Sequence, residues 1–201
     1  YGGYGLNNGL DDVANLGWKL AAMLQGWGSD GLLKSYSEER QPIFLETGRD
    51  FIEAGIEKDA AFLARYSPDK DRAEFEHAWK DHQGAAAPRV LTYEPHYEGS
   101  PIVFCPPAGR SSARGTHTFT ARTGHHLPPQ PLSSGRNVFE ELGPYFTLLA
   151  FDTDDRTVAA FAEAAKELGG AVKTVRDTYG EGREAYEAKL ILVRPERYVA
   201  W

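Results

Sequence analysis

Apolar and polar positions follow two different periods along the chain. Leu10, Val13, Ala14, Gly17, Leu20, Ala21 and Leu24 recur at helical spacing, and Gly26 and Gly28 stop the series, which predicts a buried helix. In "SDGLLKSYSEERQPIF", Leu32, Leu33 and Tyr36 share a face ahead of Pro42. Proline suits the first turn of a helix better than its interior, so a long helix is expected from there, with Phe44, Phe51, Ile52, Ala54, Ile56 and Phe62 on one face. "SPDK" breaks that pattern, and "AEFEHAWKDH" adds one more amphipathic piece.

The texture changes near Gln83. The following stretch is rich in Pro, Gly and Ser and poor in periodicity, and reads as a connector over residues 85–115. Its Tyr93, Tyr97, Ile102, Val103 and Phe104 favour a segment laid over a partner surface. Beyond it the period of two takes over. "YFTLLAF", "AVKTVRD" and a hairpin from "KLILV" to "YVAW" around "RPER" predict four strands. "RTVAAFAEAAKELGG" predicts a helix between the first two, with Val158, Phe161, Ala162, Ala165 and Leu168 as its stripe and Gly169 and Gly170 as its end. The fold class is α/β: a helical region over 1–84, the connector, and a small layered α/β unit over 116–201.

Composition narrows what such a protein does. The 201 residues carry a net charge of -7, and no Lys/Arg run exceeds a pair, so nucleic acid and anionic membrane are not expected partners. Neither a membrane span nor a signal peptide is legible, which leads us to expect a soluble, cytoplasmic protein. Cys105 is the only cysteine, so no internal disulfide, CxxC pair or multi-cysteine zinc site can form.

The opening "YGGYGLNNGLDDVANLGWKL" runs glycines straight into a helix. Glycines permit close approach of a planar or anionic ligand, and a helix start offers free N–H groups and a partial positive charge. The run lacks the Gly-Lys-Ser/Thr ending of a phosphate loop. No strand precedes it as the GxGxxG fingerprint requires. Asp11 and Asp12 are expected to serve the first turn of the helix as caps, and Tyr4 either faces a ligand or packs.

These residues resemble a known family. Asn7, Asn8, Gly9, Asp12, Asn15, Leu16, Trp18, Lys19 and Leu20, followed by Tyr36, Glu39, Arg40 and Pro42, are similar to the segment after the second FAD motif of the FAD-dependent aromatic hydroxylases of the phenol and polyketide type. "SPIV", "FTLLAF" and "LILVRPERYVAW" resemble the thioredoxin-like C-terminal domain of its phenol-type members. The resemblance implies that the chain is the C-terminal part of a longer enzyme, with a missing N-terminal FAD-binding segment as partner. Residues 1–84 would then be the C-terminal part of the FAD-binding domain, and 116–201 a thioredoxin-like domain that is structural because it has no CxxC.

The chemistry is likewise implied by the resemblance. The enzyme would use FAD, with NADPH or NADH as reductant, to hydroxylate a phenolic or other aromatic ring through a flavin C4a-hydroperoxide. Gly3, Gly5, Leu6, Asn7 and Asn8 would bind the cofactor, their backbone N–H groups meeting the pyrimidine edge of the flavin. No catalytic base can be assigned. Baeyer-Villiger oxidation or epoxidation on the same fold, and a non-catalytic thioredoxin-like binding module, are the alternatives. A homodimer is compatible with it.

The remaining candidates read as structural. His96, His117, His125 and His126 show no ligand spacing with a carboxylate and are expected on the surface, with no metal. The family's Arg, Pro and His are replaced in that loop by Thr123, Gly124, His125 and His126. Trp18, Trp27, Trp79 and Trp201 are expected in cores or at a domain interface.

Overall fold

The computed structural model describes residues 3–84, 91–104 and 109–201; Cys105 falls outside them. Helix α1 (Tyr4–Leu24) and helix α2 (Asp30–Glu46) form the first layer, and Ser29 caps α2 by accepting from the Leu32 amide. A π-helical stretch, Thr47–Glu53, continues α2 into α3 (Ala54–Arg65), and α4 (Arg72–Gly84) returns along α3 through Phe62, Phe75 and Trp79. Among the described residues no helix is long and apolar enough to cross a membrane.

Two sequence expectations fail here. Pro42 lies inside α2, not in a first turn. A proline there withdraws one backbone donor, and the π-helical register follows five residues later, with the buried Thr47 hydroxyl bonding the Ile43 carbonyl at 2.7 Å. The wider turn rotates the residues beyond it, so the expected single face divides: Phe51 and Phe62 are buried, whereas Phe44 and Ile56 face outward. The stripe of α1 also points the other way. Leu10, Val13, Leu20 and Leu24 are exposed, while Asn8, Asn15, Trp18, Lys19 and Ala22 are buried.

The connector contains structure of its own. Strands β1 (Tyr93–Tyr97) and β2 (Ser111–Arg114) pair antiparallel, Tyr97 opposite Ser111, with an irregularity between Tyr93 and His96. The pair lies on α2, where the Glu46 carboxylate accepts from the Ser112 hydroxyl and the Ala113 amide, both at 2.6 Å. Tyr97 and Val103 are buried and Phe104 is exposed.

The C-terminal unit opens with a short helix α5 (Val138–Glu141), closed by a capping box between Asn137 and Glu140. Its sheet has the order β4-β3-β5, with β3 (Phe146–Phe151) central. β3 runs parallel to β4 (Val172–Asp177) through the crossover helix α6 (Asp155–Glu167), and antiparallel to β5 (Leu190–Val193). Both faces of β3 are covered, which is why "FTLLAF" is apolar throughout. Leu149 and Phe151 join a core of Leu127, Val138, Tyr186, Ile191 and Val193, and Leu148 and Ala150 meet Val158 of α6. The fourth expected strand survives as a turn-back: Ala200 N–H bonds the Leu192 carbonyl and Arg194 N–H the Tyr198 carbonyl, with one bridge between Val193 and Val199.

The sheet core predicts a clear contrast. Leu149→Ala, at a fully buried position, should lower unfolding free energy by about 2–5 kcal/mol in denaturant titration. Leu168→Ala, at an 83% exposed position, should change it by less than about 0.5 kcal/mol.

Candidate functional site

The opening glycines form the first turn of α1. Gly3 is its N-cap, with φ of 73° in the left-handed region, and no side chain caps the helix. Helix geometry leaves the amides of Tyr4, Gly5 and Leu6 without intrahelical acceptors, and the Asn7 amide is the first to find one, Gly3 O at 3.4 Å. Leu6 is exposed, and a Cβ on Gly5 would meet nothing within 4 Å. Tyr4 packs edge-on against Tyr93 and tilted against Phe51. It is a packing residue.

The two asparagines are not caps. Asn7 is exposed and bonds back to Gly3 O. Asn8 is buried and its side chain works between elements: its amide donates to the Tyr93 hydroxyl at 3.0 Å, and its Oδ1 accepts from Arg40 at 3.2 Å. Asp11 and Asp12 are beyond the first turn of a helix that starts at Tyr4, so the expected capping role does not hold. Asp12 instead receives the Arg40 Nε–H at 2.7 Å, and Arg40 also donates to the Asn8 carbonyl and the Tyr97 hydroxyl. Arg40 thereby fixes the start of α1 against α2 and β1.

A second buried charge fixes its middle. Both oxygens of Glu39, fully buried, accept from Arg194, at 2.6 and 2.9 Å, and Lys19, Asn15 and Ser100 donate to the same carboxylate at 2.6, 2.7 and 2.5 Å. Glu196 contacts Arg194 as well, so the cluster holds two cations and two anions among the described residues. The Arg194 guanidinium lies over the rings of Trp18 and Tyr97. Burial alone would raise the Glu39 pKa, but the hydrogen bonds and charge of Arg194, the charge of Lys19 and the Asn15 hydrogen bond outweigh it and hold it at about 2. The sequence carried a signal for this network: Asn8, Asp12, Asn15 and Lys19 form a polar stripe at helical spacing on α1, beside the apolar one. Trp18 stacks on Trp27 and meets Phe146 edge-on, so these tryptophans do sit at the junction of the two regions.

The histidines divide. His117 and His126 are exposed, as expected, but His96 and His125 are buried and stacked on one another with ring centroids 4.5 Å apart. Gly124, at φ 80°, brings them together: its carbonyl accepts the Tyr97 amide at 2.7 Å, and a Cβ there would strike the Glu98 amide at 2.8 Å.

Two parts of the chain match known protein families. Residues 1–47 match the family described as FAD binding domain, and residues 120–201 match the family described as aromatic-ring hydroxylase, C-terminal. The resemblance to the FAD-dependent aromatic-ring hydroxylases is borne out. The FAD-dependent monooxygenase apdD of Emericella nidulans is 28% identical over the whole chain, which covers 35% of that relative. The 4-methyl-5-nitrocatechol 5-monooxygenase of a Burkholderia species is 30% identical over the whole chain, covering 37% of the relative. The solved structure of RebC-10x, native and with bound K252c, superposes with a TM-score of 0.80 at 31% identity, over 100% of this chain and 39% of that one. The chain thus spans little more than a third of the hydroxylase-type relatives it matches.

Glu39→Gln should destabilise the protein by about 3–5 kcal/mol, because it strands buried cations. The native carboxylate, ordinarily at 4.5 and held at about 2, contributes stability above pH 4.5 that is lost as pH falls toward 2. The stability gap between wild type and variant should therefore shrink across that interval in unfolding measurements.

Proposed function

We propose that the chain forms the flavin-edge and C-terminal part of an FAD- and NAD(P)H-dependent monooxygenase that hydroxylates a phenolic or other aromatic small molecule. The carrying observation is the uncapped first turn of α1, with the Tyr4, Gly5 and Leu6 amides unused within the helix, in a segment that matches an FAD binding domain family. Relatives with names such as 4-methyl-5-nitrocatechol 5-monooxygenase support the aromatic substrate class.

The residues at this turn suit an electron-rich cofactor edge. Three N–H groups and the positive end of a 21-residue helix stabilise negative charge, and the open space at Gly5 admits a planar ring close to the backbone. When bound, the flavin would supply the oxidising chemistry, with NAD(P)H as the source of electrons and dioxygen as the source of the inserted oxygen atom. This chain's share is to hold that edge, lend the helix dipole and keep water out. The amides of Tyr4, Gly5 and Leu6 carry the contact, and Gly3, in the left-handed region, makes the turn that presents them. The Asn7 amide belongs to the helix, and Asn8 positions the turn through Arg40 and Tyr93. The exposed face of Leu6, Leu10, Val13, Leu20 and Leu24 suits burial under the segment that the longer relatives carry beyond the matched span.

Gly5→Val in the intact flavoprotein should weaken FAD binding by roughly tenfold, or about 1.4 kcal/mol, and slow flavin reduction, with little change in the stability of the apoprotein because nothing in the chain opposes the new side chain. Asn8→Ala should do the reverse, costing about 1 kcal/mol of stability by removing its hydrogen bonds to Tyr93 and Arg40. Unchanged FAD affinity in Gly5→Val would refute this placement of the flavin.

A further inference from the structure

We propose that His96, Glu98 and His125 form a binding site for a divalent metal ion of the zinc type. The expectation of surface histidines fails at two of these three positions, and one ligand atom from each residue lies within 4.8 Å of the others. They come from two segments, the end of β1 and the loop after Gly124, which the Tyr97–Gly124 hydrogen bond holds together.

The geometry around the two rings carries the proposal. His96 Nε2 lies 3.0 Å from the Arg114 carbonyl, which can only accept, so the ring proton is on Nε2. Neutral His96 then presents a bare lone pair at Nδ1. That atom is buried, on a ring stacked against His125, and has no hydrogen-bond partner among the described residues. His125 lies between two carboxylates, with Nδ1 3.4 Å from Glu94 and Nε2 2.9 Å from Glu98. A metal ion would give His96 Nδ1 the partner it lacks and bring the Glu98 carboxylate onto the same centre.

The surroundings are those of a metal-binding histidine pair. With His96 Nδ1 and His125 Nε2 on the ion, the other nitrogen of each ring faces an oxygen, a backbone carbonyl for His96 and a carboxylate for His125, the arrangement that fixes tautomer and orientation in metal sites. Among the described residues, two carboxylates, Glu94 and Glu98, face one cation, Arg122, which pairs with Glu98 at 2.8 Å, so the site carries net negative charge to receive a dication. Two imidazoles and one carboxylate select zinc, cobalt or nickel over magnesium and calcium, and leave a fourth position for water. Four-coordinate bonds of ~2.0–2.1 Å set donor separations of roughly 3.3 Å, so the three groups draw together on the ion. The ion would clamp β1 to the C-terminal unit.

The test uses untagged intact protein stripped of metal by chelator and titrated with Co²⁺. One equivalent should bind, with the visible absorption of nitrogen-ligated cobalt, and Zn²⁺ should displace it. X-ray absorption of the zinc form should show two imidazoles. Glu98→Gln should weaken Co²⁺ binding by about tenfold or more, whereas Arg122→Gln, which removes the same ion pair and no ligand, should leave it unchanged or tighter. Absence of bound cobalt, a zinc shell without imidazole, or equal weakening in both variants would overturn the proposal.

Discussion

A carboxylate with no access to water holds this structure together. Glu39 sits on α2, its cationic partners Lys19 and Arg194 come from α1 and from the turn after β5, and Ser100 joins from the stretch after β1. Moving such a charge out of water costs several kcal/mol, and the cost is recovered only when all the donors are in place. Arg194 is 155 residues away in sequence, so the helical layer cannot settle around Glu39 until the C-terminal sheet has delivered its turn. Arg194 itself needs the rings of Trp18 and Tyr97 beneath its planar group. The two regions therefore meet as a mutual requirement.

That constraint orients α1. Because Asn15 and Lys19 must face Glu39, and Asn8 and Asp12 must face Arg40, the polar stripe of the helix turns inward and the apolar stripe turns out. The start of the helix is thereby held at Asn8 while the amides of Tyr4, Gly5 and Leu6 project beyond the anchored part. A cofactor edge placed there meets a rigid row of donors whose position is set by buried ion pairs, and an apolar flank ready for cover by further chain. Rigid donors stabilise developing negative charge without reorganising, which is what electrostatic support of a flavin demands.

Much of the element map was legible in the sequence because it depends on local pattern. The helix over Asp155–Glu167, the strands at "FTLLAF" and "KLILV" and the helix around Trp79 follow from spacing, caps and breakers. The features that escaped depend on partners far away. The polar inward face of α1 was not legible from hydrophobic periodicity, because the side that meets α2 is chosen by charges from the far end of the chain. Pro42 was misplaced because propensity favours proline in a first turn, whereas here it lies inside α2, five residues before the π-helical stretch. His96 and His125 looked like solvent-facing loop residues because Gly124, whose close approach buries them, declares itself only in three dimensions. The bonds of the Asn8 side chain to Tyr93 and Arg40 were not legible either, because both partners lie far away in sequence.

The buried Glu39 cluster makes the helical layer and the C-terminal sheet one cooperative unit. Native-state hydrogen exchange of α1 and β3 amides tests this most directly, since exchange reads the opening free energy of each element separately. The slowest amides of both should share one opening free energy in the wild-type protein, and in Glu39→Gln both should fall together. Sheet amides that keep their protection while α1 opens independently would contradict the claim.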